Sequence, residues 1–282
     1  VDVPMQGTTS GYTFANSPST SNNDIQKFPF SSDTDATSIG NLSVDRSSGS
    51  GQSSSSHGYA AGGQTPTVYL NTIDKFPFAT DTNATDVGEL GSVLARMGGH
   101  SSFDYGYTSG GDTPTVVSTI YKFPFTSDTS SSSVGTLISP VRLHSEHSSG
   151  THGYTAGGFP PVTSMEKFSF ISDSPSSSVG NMSQAKNWAA GNSSDTRGYI
   201  SGGRIPAPVD VIEKFPFATN SNSTDIAELT ATLRGGVGTN STVSGYVTGG
   251  NYGTTMQKFP FSSDTPAASV GSLTSPKQGG GG

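Results

Sequence analysis

The chain has 282 residues, of which 30% are hydrophobic and 12% are charged, and its formal net charge is −7. This length can bury a core, but the negative charge offers no basic field to a nucleic acid, and no apolar run is long enough for membrane insertion. Cysteine is absent, which excludes disulfides, thiolate catalysis and Cys-ligated zinc.

The first recurring element is a Gly-Tyr pair, which opens the pattern Gly-Tyr-x-x-Gly-Gly in its last five copies. The six copies follow one another at steps of 47, 48, 47, 45 and 47 residues. They lie at 11–12, 58–59, 106–107, 153–154, 198–199 and 245–246. A fixed period of this size is typical of repeat proteins, in which each unit is one supersecondary element.

Each Gly-Tyr pair is followed by Lys-Phe-x-Phe, then by a turn around Asp or Asn, and then by an apolar-Gly-x-Leu element or a close variant. The Lys-Phe-x-Phe copies lie at 27–30, 75–78, 122–125, 167–170, 214–217 and 258–261. Gly, Ser, Asp and Pro thus separate four extended segments, which predicts one four-stranded antiparallel blade per unit. In the second unit, strand a is 51–54, strand b is 58–62, strand c ends in Phe76 and Phe78, and strand d contains Val87 and Leu90.

Six such units predict an all-β fold, a six-bladed β-propeller, because stacked blades bury each other's faces and a closed ring removes the exposed ends. Residues 225–234 have local helix propensity, but their register with the other strands d favours a strand. We expect one domain over residues 1–282, closed mainly by face packing with little or no strand exchange. The predicted blades are 1–45, 46–93, 94–140, 141–186, 187–233 and 234–278, and residues 279–282 are predicted to be a flexible exit.

The repeat consensus resembles a known family. Tyr-x-x-Gly-Gly, an aromatic strand followed by Asp, and an apolar strand with Leu and a basic residue such as Arg46, Arg96 or Arg142 resemble the kelch-type propeller repeat. The usual strand d tryptophan is missing, and Lys-Phe-Pro-Phe replaces the usual strand c. With these departures, the chain is similar to kelch-like repeats of marine bacteriophage structural and tail-fibre-like proteins. The resemblance implies an extracellular or virion-surface location, as part of a larger chain or assembly.

Residues that recur in every unit are best explained by blade construction. We therefore expect structural roles for the lysine of Lys-Phe-x-Phe and for the aspartates that follow it. These aspartates are expected to accept backbone N–H bonds in the turn between strands c and d. The turns at Asp33 and Asp81 resemble calcium loops faintly, but the downstream glutamate and the spacing are missing.

Positions that vary between the units are the candidates for chemistry. His100, His144 and His147, with Glu146, are candidates for a transition-metal site near the axis between the third and fourth blades. Polar lining of a wet channel is the alternative that we favour, so no metal and no cofactor are predicted. No Ser-His-Asp arrangement, carboxylate pair or phosphate loop is recognisable, which predicts a protein that is not an enzyme.

Antiparallel alternation places the b–c and d–a connections on one face, where the loops vary most between units. Variable loops on a rigid scaffold are typical of recognition sites. The candidate ligand-binding residues are Trp188, Tyr69, Arg204 and Tyr252. Trp188 is suited to stacking on a sugar ring, although the sequence favours a packing role for it.

The sequence therefore predicts a non-enzymatic extracellular or virion-surface module that binds a glycan or a partner protein through this face, with no nucleic-acid partner and no membrane insertion. The alternative is a purely structural propeller unit that decorates or extends a fibre or virion appendage.

Overall fold

The computed structural model describes residues 8–15 and 22–282, and the described residues form β-strands and no helices. Six antiparallel sheets, one for each blade, are arranged as a ring, and a separate two-stranded sheet lies in a loop, so the predicted six-bladed β-propeller is confirmed. Residues 225–234, the segment with helix propensity, lie mostly in a strand, as predicted.

Four strand positions recur from the axis outward. The innermost strands, a, are β4 (Ser50–Ser53), β8 (Gly98–Ser101), β14 (Ser145–Ser148), β18 (Ala190–Ser193) and β23 (Gly236–Asn240). Strands b are β1 (Ser10–Phe14), β5 (His57–Ala61), β9 (Tyr105–Ser109), β15 (His152–Ala156), β19 (Arg197–Ser201) and β24 (Ser244–Gly249). Consecutive strands a contact each other, which places them around the axis as expected.

The outer half of each blade consists of strands c and d. Strands c are β2 (Asn22–Pro29), β6 (Thr72–Pro77), β12 (Thr119–Pro124), β16 (Val162–Ser169), β21 (Ala207–Pro216) and β25 (Gly253–Pro260). Strands d are β3 (Thr37–Arg46), β7 (Thr85–Glu89), β13 (Ser132–Thr136), β17 (Ser177–Lys186), β22 (Thr224–Leu233) and β26 (Ala268–Lys277). Short strands in two b–c loops are β10 (Asp112–Thr113), β11 (Thr115–Val116) and β20 (Arg204–Ile205).

The Gly-Tyr pair and the Lys-Phe-x-Phe motif meet across strands b and c. Gly58 is paired with Phe76, and a Cβ at Gly58 would lie 2.2 Å from the tip of the Phe76 ring. Any side chain at this position would displace the ring. The glycine is therefore repeated because the first phenylalanine of strand c lies over it.

The tyrosine of each blade packs against both phenylalanines of the next blade. The Tyr59 ring is 5.7 Å from Phe123 and stacks on Phe125 at 4.7 Å, measured between ring centroids. The same contact closes the ring, because Tyr246 of the sixth blade lies 4.9 Å from Phe30 of the first. The Gly-Tyr and Lys-Phe-x-Phe motifs thus supply the core between blades, as the sequence predicts.

The repeated lysine forms a second link between blades. Its ammonium contacts the c–d turn of the following blade, with Nζ–O distances of 2.6–3.1 Å, in the pairs Lys27–Asp81, Lys75–Asp128, Lys122–Asp173, Lys167–Asn220, Lys214–Asp264 and Lys258–Asp33. The structural role expected for these residues is confirmed, but the hydrogen-bond donor to the turn carboxylates differs from the one expected. The turn carboxylates accept from a neighbouring lysine rather than from the backbone of their own turn.

Three strands d, β3, β17 and β26, end in a buried basic residue. Arg46 is fully buried and its Nη2 donates to Asp74 of the second blade at 2.7 Å. Lys186 is paired in the same way with Glu213 at 2.9 Å. Arg96 and Arg142, which the sequence resemblance groups with Arg46, instead lie beyond strand d in the d–a connections.

Residues 279–282 do not form the exit predicted from the sequence. The amide of Phe14 donates to the carbonyl of Gly281 at 3.1 Å, and the amide of Gly279 donates to the carbonyl of Gly235 at 2.8 Å. The segment therefore lies on the axial side of β1, where the other blades have strand a. Face packing between the first and last blades is accompanied by a backbone bridge, which corrects the prediction of a flexible tail.

Candidate functional site

The b–c and d–a connections form one surface, which we call the loop face. Backbone bridges join a d–a connection to the b–c loop of the blade that it enters, in the pairs Ser47–Gln64, Ala95–Asp112, Arg142–Phe159 and Asn187–Arg204. These bridges hold the variable loops against the segments that lead to the innermost strands. The loop face is therefore a surface with fixed backbone geometry.

A charged cluster on the loop face is centred on Asp112, which is buried. Its Oδ2 accepts from Nη1 of Arg96 at 2.6 Å, from Nη1 of Arg142 at 2.8 Å and from the hydroxyl of Tyr69 at 3.2 Å. One carboxylate thus serves two guanidinium groups, which leaves an excess positive charge. Because the two arginine side chains are 21% and 28% exposed, part of each guanidinium is accessible from the loop face.

Tyr69 is part of this cluster, because its hydroxyl contacts both Asp112 and Arg96. Its hydroxyl also lies 3.4 Å from Nη1 of Arg96, and the side chain is half-buried. The second arginine has an aromatic neighbour as well, because the Arg142 guanidinium lies 5.1 Å from the centroid of the Phe159 ring. Two aromatic rings and two arginines therefore come together around one buried carboxylate.

Trp188 lies near the axis on the loop face, with a left-handed backbone (φ of 60°). Its amide donates to the carbonyl of Leu143 at 2.7 Å, and its carbonyl accepts from the amide of Gly235 at 2.8 Å. The indole packs on Gly235, and the Arg234 guanidinium lies 5.5 Å from the indole centroid. Because Trp188 is half-buried, it both packs against the ring and offers part of its surface to a ligand.

The other two candidates lie in separate b–c loops. Arg204 begins the short strand β20, is exposed, and donates from Nε to the carbonyl of Pro206 at 2.7 Å. Tyr252 lies in the turn between β24 and β25 and is 52% exposed. Both side chains are accessible from the loop face. The four predicted residues share this face, but the structure does not gather them into one pocket.

The three histidines are buried between blades. Nδ1 of His100 is 3.0 Å from the carbonyl of His147, and Nδ1 of His147 is 3.0 Å from the carbonyl of Asn192. Nε2 of His100 and Nε2 of His144 both contact Ser109 Oγ, at 2.8 and 3.2 Å. Burial lowers the pKa of His100 to about 4, of His144 to about 3 and of His147 to about 4, so all three are neutral at pH 7.

These imidazoles connect neighbouring blades. In the described parts of the chain, no group of three or more His, Asp or Glu side chains is arranged to hold a metal ion. The described residues also contain no helix long and apolar enough to cross a membrane.

Glu146 lies beside the histidines in sequence. Unlike them, it borders two cavities of the ring. It borders a cavity on the loop-face side, together with Arg96, Leu143 and Trp188, and a second cavity on the opposite side, together with Gln52. Glu146 therefore lies near the axis of the ring. Burial raises the pKa of Glu146 to about 8.

Comparison with models of known protein families and with curated proteins gives no match to this chain. The fold and the two faces define the class of protein, which is a six-bladed β-propeller with one variable, arginine-bearing face.

Sequence reasoning missed the Asp112 cluster, and it placed Glu146 near the axis without separating it from the three histidines. Asp112 lies in a b–c loop of irregular sequence, and only the bridge between Ala95 and Asp112 shows that it meets Arg96. For Glu146 a signal is present, because the aligned position in the other strands a is glycine. A charged residue at a glycine position of a repeat indicates a site that blade construction does not require.

Proposed function

We propose that this protein is a non-enzymatic binding module whose loop face recognises a glycan or a partner protein. The observation that carries the proposal is the difference between the two faces. On the face of the c–d turns, the same lysine contact recurs between all six blades. On the loop face, the side chains differ from blade to blade.

The chemistry of the loop face supports recognition of a polar ligand. The partly exposed guanidinium groups of Arg96 and Arg142 supply planar, charged donors, and their excess positive charge favours acceptor-rich groups such as sugar hydroxyls or carboxylates. Trp188 and Tyr252 add partly exposed aromatic surface that can stack on a sugar ring or anchor a protein side chain. Because the backbone of this face is fixed by bridges, the ordering entropy on binding is small.

The proposed location is extracellular or on a virion surface, within a larger chain or assembly. The resemblance of the repeats to kelch-like repeats of phage structural proteins supports this location. The alternative function is a purely structural unit that decorates or extends a fibre, and the Lys–Asp contacts and stacked aromatic rings would serve such a unit equally well.

A glycan array probed with the purified chain tests the proposal. We expect selective binding that is weakened by Arg204→Ala and by Tyr252→Ala, since both side chains are exposed and neither belongs to the core. Arg197→Ala is the matched control, because Arg197 is an exposed arginine at the start of β19, on the opposite face.

Selective binding that survives Arg204→Ala and Tyr252→Ala but is lost in Arg197→Ala would place recognition on the wrong face and contradict the proposal. An array without signal is followed by pull-down with particles that carry the native assembly. Absence of any loop-face-dependent binding, together with assembly of the chain into larger particles, would favour the structural alternative.

A further inference from the structure

The arginines of this chain are concentrated on the loop face. Four of the six lie in the connections that form this face, namely Arg96, Arg142, Arg204 and Arg234. The lysines are placed differently. Six belong to the Lys-Phe-x-Phe motif, where each contacts the next c–d turn on the opposite face, and Lys186 and Lys277 are buried. The cations that a ligand meets on the loop face are therefore guanidinium groups.

Positive charge on this face exceeds the carboxylates that pair with it. Asp112 serves both Arg96 and Arg142, which leaves one charge over. Arg204 and Arg234 take part in no ion pair with the residues that the structure describes. Since the whole chain has a net charge of −7, these unpaired cations are a local feature of the loop face.

Arg142 and Arg234 occupy equivalent positions in two d–a connections. The carbonyl of Arg142 accepts from the amide of Phe159 at 2.7 Å, and the carbonyl of Arg234 accepts from the amide of Asn251 at 3.1 Å. Each guanidinium lies over an aromatic ring, 5.1 Å from the centroid of Phe159 in one case and 5.5 Å from that of Trp188 in the other. The combination of a cation and an aromatic surface thus occurs twice on the loop face.

Both guanidinium groups keep N–H donors for a ligand. In Arg142, which is 28% exposed, Nη1 donates to Asp112 and Nε is buried without a partner, so Nη2 is the donor that remains. Arg234 is partly exposed, and its guanidinium donates to none of the described residues. The aromatic partners are accessible as well, since Phe159 is 41% exposed and Trp188 is half-buried.

A carboxylated sugar matches the chemistry of these two sites. A carboxylate accepts from the planar fork of an arginine and balances its charge, whereas a neutral sugar would cover the guanidinium without balancing it. The apolar face of a sugar ring can pack on the neighbouring aromatic side chain. An extended peptide fits less well, because strand addition needs unpaired backbone groups, and the bridges Arg142–Phe159 and Asn187–Arg204 already engage the backbone here.

We propose that the loop face binds an acidic glycan, with sugar carboxylates on Arg142 and Arg234 and sugar rings packed on Phe159 and Trp188. This inference rests on the proposed function and names the class of its ligand. Because charge attraction contributes to binding, the affinity should fall as the salt concentration rises.

A glycan array in which each acidic oligosaccharide is immobilised beside its methyl ester tests the need for a carboxylate. The acids carry uronic or sialic acid residues, and esterification keeps the sugar ring while it removes the charge. We expect the parent chain to bind acids and not their esters. Since Trp188 is the chain's only tryptophan, titration with the acid that binds most strongly should change the tryptophan fluorescence.

Two arginine variants and a control complete the experiment. Arg142→Gln leaves Asp112 paired with Arg96, and Arg234→Gln installs the residue found at the equivalent Gln278, which likewise precedes a left-handed glycine. Each variant should keep the thermal melt of the parent chain and weaken acid binding roughly tenfold. Arg197→Gln, at an exposed position on the opposite face, is the matched control and should bind as the parent chain does.

Equal binding of acids and esters, or acid binding that Arg142→Gln and Arg234→Gln both leave unchanged, would overturn the assignment of an acidic ligand. The proposed function would still stand in that case if binding depends on Arg204 and Tyr252. An array without any bound glycan also overturns this inference, and the pull-down with native particles then decides the proposed function separately.

Discussion

At the residue scale, the repeated phenylalanines stabilise the ring most directly. Phe76 is 1% exposed, lies over Gly58 and packs against Tyr12 of the preceding blade. We expect Phe76→Ala to lower the free energy of unfolding by about 3–5 kcal/mol, since it removes a buried aromatic ring and leaves a cavity. Tyr252→Ala, at an exposed aromatic position, should change it by less than about 1 kcal/mol. Denaturant melts of the two variants check this, and similar losses in both would contradict the assignment of the core.

The buried pair Arg46–Asp74 is a second residue-scale case. Arg46→Leu leaves the Asp74 carboxylate buried without its cation, so we expect a loss of about 3–5 kcal/mol. The repeat supplies a matched rescue, because the interface between the fifth and sixth blades has Leu233 and Gln257 at the equivalent positions. The double variant Arg46→Leu/Asp74→Gln should therefore be more stable than Arg46→Leu alone in urea melts. A double variant as unstable as the single one would show that the charge of Asp74 is not the cause.

At the element scale, the edges of strands a are joined by groups that respond to acid. His100, His144 and His147 have pKa values lowered by burial to about 4, 3 and 4, whereas a free imidazole titrates near pH 6.5. Between these values the unfolded chain binds more protons than the folded chain, so stability falls as the pH is lowered through this range. The loss is expected to reach about 3–5 kcal/mol for each histidine.

A matched variant tests this acid sensitivity. The fifth blade has Asn192 at the position of His100 and His147, and its Nδ2 donates to the carbonyl of Thr239 at 2.8 Å. His100→Asn/His147→Asn should keep the links between blades and reduce the pH dependence of the melting temperature between about pH 4 and 6.5, leaving the contribution of His144. A parent chain with a flat profile, or a double variant with the parent's slope, would contradict the burial of neutral imidazoles.

The contacts between strand c and the next c–d turn give another element-scale prediction. Five of the six interfaces pair Lys with Asp, and the remaining one pairs Lys167 with Asn220 at 2.9 Å. Asn220→Asp completes the ion pair, but such pairs at the surface contribute little, so we expect a gain of no more than about 0.5–1 kcal/mol, reduced by salt. Thermal melts at low and high salt measure it. A gain that does not depend on salt would have another origin.

At the scale of the whole molecule, residues 279–282 take part in closing the ring. Deleting them removes the backbone bonds from Phe14 to Gly281 and from Gly279 to Gly235. Each such bond contributes about 0.5–1.5 kcal/mol, so the truncated chain should melt several degrees lower. An unchanged melting temperature would support the flexible exit predicted from the sequence. Because Tyr246 still packs on Phe30, the truncated chain should remain a closed propeller.

The sequence by itself determined the number of blades, the four strands in each and the role of Tyr and Phe between blades. These features depend on local strand pairing and on contacts between residues one period apart. The residues responsible therefore recur in every repeat. The loop face was predicted from antiparallel alternation alone. Trp188 and Tyr252 were correctly placed on it, because the two strands that a loop connects determine the face on which the loop lies.

Only the tertiary structure decided how residues from different blades meet. Asp112 joins Arg96 and Arg142 because the d–a connection of one blade is bridged to the b–c loop of the next, a pairing that no periodicity encodes. Residues 279–282 reach β1 because a ring brings the last repeat beside the first. The glycines that align with Glu146 lie where the innermost strands converge and leave no room for a side chain, and that crowding is a property of the closed ring rather than of any single blade.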